Sequence, residues 1–221
     1  MRVPATTLES FRLFSEPDQE WMSEADLLAT IRKDPFTRTP EMEIGDAFDA
    51  VLNTPDKYRV EGGYEARGHF FSDAMMTPAL AVFDRRGVFQ CKGVTHYPEA
   101  TVVAKADQIV GVRLVENKTT FSSFDFDKYA ASYQWRLMAD MFLPRVVTYN
   151  VFLLAERKGQ ADTVYPGDYE LRGIESFHLY PYDGLHQDCR ELVTRFVDYV
   201  RRRGLEGHLA DREDLTTFET A

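Results

Sequence analysis

Cysteine, basic charge and long apolar runs are all scarce in this sequence. Only Cys91 and Cys189 occur in 221 residues, far apart and with no Cys-x-x-Cys pair. That excludes a zinc ribbon and a four-cysteine iron–sulfur cluster. It also fits a reducing compartment. No stretch approaches the roughly 20 apolar residues of a membrane span. The first ten residues lack the apolar core of a signal peptide. A cytoplasmic protein with no membrane partner is expected. Lys and Arg total 26 against 36 Asp and Glu, a formal net charge of −10. Proteins that hold nucleic acid mainly through phosphate contacts are usually basic. Any grip on a polyanion therefore has to come from a local basic cluster or from bound metal ions. Repeats, low-complexity tracts and a dividing linker are absent as well.

What is present is a core. Hydrophobic residues make up 44% and aromatics 13%, enough for one sizeable domain. The expectation is a single domain over 1–221, with a helical extension at 1–39, a catalytic core at 40–203 and a tail at 204–221. Residues 23–32 read as a helix, with Ser23 as its N-cap. A second helix is expected over 40–52, opened by Pro40. Residues 56–80 carry no single period. Strand patterns follow at 88–97, 100–109 and 112–119. Helical spacing covers 125–142, with Tyr129, Tyr133, Leu137 and Met141 on one stripe. Residues 146–155 are nearly all apolar, as in a strand covered on both faces, and 170–180 is a further strand. Residues 183–203 form an amphipathic helix stopped at Gly204. This order predicts an α/β fold, a mixed central β-sheet flanked by helices.

The densest chemistry lies in Lys105–Thr119. A two-residue turn at Val110-Gly111 would make a hairpin with Asp107 opposite Leu114. Side chains alternate along a strand, so Glu116 and Lys118 share a face, and this register puts Asp107 there too. Two acids and a lysine converging on an apolar hairpin cost free energy unless a cation sits between the acids. Asp107 and Glu116 are hard oxygen donors suited to Mg²⁺ or Mn²⁺. A bound ion of this kind polarises a phosphoryl oxygen, and Lys118 would orient water or meet developing negative charge. The plain alternative is a solvated salt bridge of little energetic weight. A second Glu-x-Lys, Glu156-Arg157-Lys158, has no acid in a preceding paired strand and reads as a strand end. His69, His96, His178, His186 and His208 lack metal-ligand spacing, and the cysteines read as small buried apolar residues.

Asp107-x8-Glu116-x-Lys118 resembles the core of the PD-(D/E)XK nuclease superfamily, in particular its RecB-like and phage lambda-exonuclease-like branch. Gly45-x3-Asp49 matches the upstream helix of that branch, where an acid or histidine four residues after glycine binds metal. Gln134 matches the glutamine of the following helix. The resemblance spans roughly residues 40–200 and implies a restriction-endonuclease-like core. It implies that Asp49, Asp107, Glu116 and the backbone carbonyl of Asn117 bind Mg²⁺ or Mn²⁺. It further implies that Lys118 serves the nucleophilic water and that Gln134 supports Lys118 or touches a DNA phosphate. The expected activity is DNA exonuclease in recombination or repair, of phage or prophage type. A structure-selective or nicking endonuclease, and an inactive nucleic-acid-binding module, are the alternatives. DNA is the expected partner, with room for a homo-oligomer and for a recombination or single-strand-annealing protein. Two departures stand out: Met138 where the branch often has Tyr, and Asp49 where His or Glu is commoner. On its residues alone, Asp49 also fits an exposed acidic stripe with Glu43 and Asp46.

Overall fold

In the computed structural model, which describes residues 1–16, 22–156 and 169–209, the chain begins inside the core. Strand β1 (Arg2–Pro4) leads directly into α1 (Ala5–Ser15), and α2 (Glu24–Arg32) follows. Val3, Leu8, Phe11, Leu27 and Ile31 from these elements are buried in the main core. The sequence showed a helix only at α2, whose Ser23 and Asp26 form the reciprocal cap expected there. β1 is too short to show alternation, and α1 has neither a side-chain N-cap nor an acidic first turn to mark it.

Helix α3 (Pro40–Asn53) is capped by Thr39 and buries Ile44, Ala47, Phe48, Val51 and Leu52. That is the i, i+3, i+4, i+7, i+8 stripe of a helix packed on one face. The ambiguous stretch resolves into α4 (Pro55–Tyr58), β2 (Arg59–Val60), β3 (Gly63–Ala66), β4 (His69–Ser72) and α5 (Asp73–Val82). β2, β3 and β4 form a separate antiparallel sheet. With α3 and α5 it builds a second core around Phe48, Phe71, Met76 and Phe152.

The large sheet contains β5 (Val88–His96), β6 (Thr101–Val110), β7 (Arg113–Thr120), β8 (Val146–Glu156) and β9 (Tyr169–Leu179), besides β1. β5 runs antiparallel along one edge of β6. The other edge is shared. β1 pairs in parallel with Thr101–Val103, and β7 pairs antiparallel with Gln108–Val110. Residues 104–107 lie between the two stretches, a gap of about 13 Å at the usual strand rise. β7 and β8 are parallel, which needs a crossover; α6 (Phe126–Ala131) and α7 (Tyr133–Phe142) supply it. In β8, Phe152 and Leu154 join the second core while Val147, Tyr149 and Val151 join the main core, so both faces are covered, as its apolar run predicts. Glu156 ends β8 exposed; Arg157 and Lys158 lie outside the described residues. Helix α8 (Leu185–Arg202) buries the expected Leu185, Cys189, Leu192, Val193, Phe196 and Val200. The result is the mixed central sheet flanked by helices that the pattern predicts. Among the described residues, no helix is long and apolar enough to cross a membrane.

Two local expectations are corrected. The single helix over 125–142 is two helices. Ser132, extended at φ −61° and ψ 137°, ends α6 and caps α7 by accepting the Gln134 N–H. A hydroxyl cap inside an unbroken hydrophobic period left no mark on the pattern. The β6–β7 turn is also displaced. Val110 pairs with Arg113, so Gly111-Val112 makes the turn, with Gly111 at φ 60°. The register therefore slides by two residues and brings Asp107 level with Glu116 instead of Leu114. Because the side-chain period is two, that slide leaves every residue on its expected face.

Candidate active site

The β6–β7 ladder stops at Gln108 and Val115. Beyond it, side chains replace backbone pairing. The Asp107 N–H donates to Glu116 Oε1 at 3.2 Å, and the Asn117 N–H donates to Asp107 Oδ2 at 2.9 Å. The strands splay, and the two carboxylates fill the fork. Lys118 Nζ lies 2.9 Å from Glu116 Oε2 and 3.9 Å from Asp107 Oδ2. Glu116 is 1% exposed and Lys118 30%, so the pair is buried at its acidic end and open at its cationic end.

Asp49 comes from the other side of β7. A Cβ on Gly45 would sit 2.7 Å from Thr119 Oγ1, so the glycine lets α3 lie against β7 here without displacing that hydroxyl. Asp49 is one helical turn further on. Positions three apart drift about 60° round a helix, so Glu43, Asp46 and Asp49 do not share one face. Glu43 is exposed, Asp46 is held by Arg38 and Arg67, and Asp49 is half-buried. The exposed-stripe reading fails there. A cavity of about 480 Å³ is lined by Asp49, Asp107, Asn117, Lys118 and Thr119. A second, of about 420 Å³, opens in the gap along β6. Asp107, Glu116, Lys118 and Gln134 line it, together with Pro4 and Lys105. Asp107 and Lys118 border both.

Burial, with the charge of Asp107 added, pushes the Asp49 carboxyl up to about 6, while Asn53 and Lys118 pull it down. Burial likewise raises Glu116 to about 7; Lys118 opposes the rise and Asp107 adds to it. Burial works against the Lys118 ammonium, yet Glu116 and Asp107 outweigh it and hold the group above the ordinary lysine range. Three carboxylates thus crowd one ammonium. Among the described residues, no three His, Cys, Asp or Glu side chains are drawn together tightly enough to cage an ion as they stand. The donor set is nevertheless all carboxylate oxygen, without thiolate or imidazole, and fits a hard divalent cation such as Mg²⁺ or Mn²⁺.

The structure thus brings Asp49, Asp107, Glu116, Lys118 and Gln134 to adjoining cavities. Asn117 lines the first cavity and turns its amide to the sheet face opposite Glu116 and Lys118. There Asn150 Nδ2 donates to Asn117 Oδ1 at 3.1 Å, and Ser176 Oγ donates to Asn150 Oδ1 at 2.9 Å. Met138, at the departure from the family pattern, is fully buried. Tyr129 reaches towards the site from α6, close enough for the Lys118 charge to act on its hydroxyl. Sequence reasoning missed Glu9. Its Oε2 accepts the Tyr133 N–H at 2.6 Å, and its Oε1 pairs with buried Arg12 at 2.7 Å. Glu9 thus anchors the start of the helix that carries Gln134, from 124 residues away; no local motif announces such a contact. His96 is hydrogen-bonded to Thr101 and is not among the residues lining either cavity.

No protein-family model matches the sequence, and no curated protein is similar to it at the sequence level. Solved structures are similar in shape. A phage-related exonuclease from Haemophilus somnus 129PT superposes with a TM-score of 0.52 at 8% identity, covering 92% of this chain and 96% of that one. LHK-Exo in complex with dAMP gives 0.44 at 11% identity, covering 92% and 93%. With the forked hairpin of Asp107, Glu116 and Lys118 placed on its mixed sheet, the chain shares the fold of that phage-related exonuclease.

Proposed function

We propose that the protein is a metal-dependent DNA exonuclease that hydrolyses phosphodiester bonds in recombination or repair, acting in the cytoplasm. The observation that carries this reading is the convergence of Asp107, Glu116 and Lys118 on one face of the β6–β7 fork, with Asp49 delivered by α3. Asp49, Asp107 and Glu116, with the Asn117 carbonyl, would hold Mg²⁺ or Mn²⁺. Such an ion supplies Lewis acidity and a more acidic bound water. Lys118, seated between two carboxylates, stays an ammonium. It therefore donates hydrogen bonds and offsets negative charge growing on the phosphoryl oxygens, and it does not act as a base. Gln134 borders the same cavity and presents an amide to the Lys118 side of the substrate. Glu9 and Arg12 hold that amide in place through the start of α7.

The test is incubation with end-labelled linear DNA and with closed circular DNA, with and without Mn²⁺. The expected result is release of mononucleotides from linear DNA in Mn²⁺, none in EDTA, and an intact circle. Nicking of the circle would replace the exonuclease with an endonuclease; no hydrolysis of either substrate would leave only nucleic-acid binding.

A further inference from the structure

Two arginines converge on a single carboxylate oxygen at the rim of the catalytic cavity. Arg38 Nη2 lies 2.5 Å and Arg67 Nη1 3.1 Å from Asp46 Oδ2. All three side chains are well exposed, at 47%, 60% and 41%. Ion pairs this open contribute little to stability. Arg38 and Asp46 line the cavity that holds Asp49, Asp107 and Lys118, and Asp46 stands one helical turn before Asp49 on α3. Arg67 comes from the tip of the β3–β4 hairpin. Its φ is 52°, followed by Gly68 at 80°. A two-residue turn with both φ values positive favours Asn, Asp or Gly at its first position. An arginine there is held in a disfavoured backbone state, and its side chain meets Asp46, which lines the cavity.

Two guanidinium groups about one anionic oxygen form a site with an excess positive charge. A phosphodiester presents the same kind of anionic oxygens as a carboxylate, and guanidinium groups match both. We propose that Arg38 and Arg67 form a clamp for the backbone phosphate next to the scissile one on the cleaved strand. Asp46 occupies the clamp as an internal stand-in until DNA displaces it. The clamp supplies the local cationic grip that a chain of net charge −10 needs. It rests on the nuclease reading above and adds the contact that brings a phosphate to that site.

The experiment measures affinity for a short linear DNA in Ca²⁺ over a range of salt, alongside hydrolysis in Mn²⁺. Arg38→Gln and Arg67→Gln are each expected to weaken binding about fivefold. Together they should flatten the slope of log affinity against log salt by about one. Asp46→Asn is expected to act in the opposite direction, tightening binding about fivefold by removing the competitor. Arg59→Gln, which breaks the exposed pair with Asp73 on the same small sheet, controls for bulk charge and should stay within twofold. Unchanged affinity in the two arginine variants, weaker binding in Asp46→Asn, or an equal loss in Arg59→Gln would each overturn the clamp. If wild-type protein hydrolyses DNA while the arginine variants bind normally, only the clamp falls. If wild-type protein neither binds nor cuts DNA, the nuclease reading falls with it.

Discussion

Two groups of acids in this molecule are treated in opposite ways. Asp140, on α7, is satisfied from within. Tyr97 donates its hydroxyl to Oδ2 at 2.6 Å, and His186 Nδ1 lies 3.0 Å from both oxygens, its ring stacked on Tyr97. Nearby, burial pushes the Cys189 thiol up to about 12, so it is an inert packing group. Asp107 and Glu116 instead share one lysine, while Asp49 approaches from α3 close enough for the charges of Asp107 and Lys118 to act on it. Both sets are largely buried, but the second sets three carboxylates against a single ammonium. On the function proposed above, the difference separates a structural network from a site that an external cation would complete. An excess of buried acid over its one cation, more than the mere presence of acids or a histidine, is what marks the second set as the candidate site.

The largest expected effect breaks the second set. Glu116→Gln and Lys118→Ala should each lower DNA hydrolysis by roughly 10³-fold, with circular dichroism and melting still reporting a folded protein. Glu156→Gln, at the exposed end of β8, should leave the rate unchanged; loss of activity there alone would assign the site to the other triplet. Breaking the first set should do the reverse. Asp140→Ala is expected to cost about 2–3 kcal/mol of unfolding free energy by stranding the Tyr97 hydroxyl and loosening His186. Denaturant titration reads this directly.

Asp49→Asn sharpens the comparison because its sign is inverted. Asp49 has its folded pKa raised to about 6, above the usual carboxylate value. Between about pH 4 and 6 the folded state therefore binds more protons than the unfolded one, and stability falls as pH rises. The penalty is complete above pH 6, on the order of 2 kcal/mol. Asp49→Asn should therefore stabilise the metal-free protein at pH 8 and give no gain near pH 4. Adding Mn²⁺ should raise the melting temperature of wild type more than that of the variant. An equal gain at both pH values would show that Asp49 is not held as an unmatched charge. The smallest effect is expected from Tyr97→Phe, about 1 kcal/mol, for a single hydrogen bond to a carboxylate that keeps its histidine.

Much of the site was legible because it rests on periodicities. Alternation along β7 put Glu116 and Lys118 together, and the same period of two made the face of Asp107 immune to a misplaced turn. The spacing from Gly45 to Asp49 singled out Asp49 only through the family resemblance, and its physical basis, a helix laid close against Thr119, shows only in three dimensions. What stayed hidden depends on partners distant in sequence. Glu9 meets Tyr133 across the chain, Arg67 meets Asp46 from a hairpin in a stretch with no clear period, and β1 is a strand only because Thr101–Val103 offers an edge. Ser132 stayed hidden for another reason: one hydroxyl cap outweighed a hydrophobic stripe that ran straight through it.

The shared edge of β6 has its own consequence. Most sheets present either a paired interior or an open rim, and a ligand must approach from a face or from outside. Here β1 and β7 leave a slot within the sheet itself, bounded by Pro4 on one side and Glu116 on the other, with a cavity at each end of the Asp107–Lys118 pair. The break in pairing thus opens the second cavity from within the sheet, and the Asp107–Lys118 pair borders both that cavity and the first. The width of that slot is set by how far β1 zips along β6. A chain in which β1 ran two residues longer would gain ladder hydrogen bonds and close part of that opening.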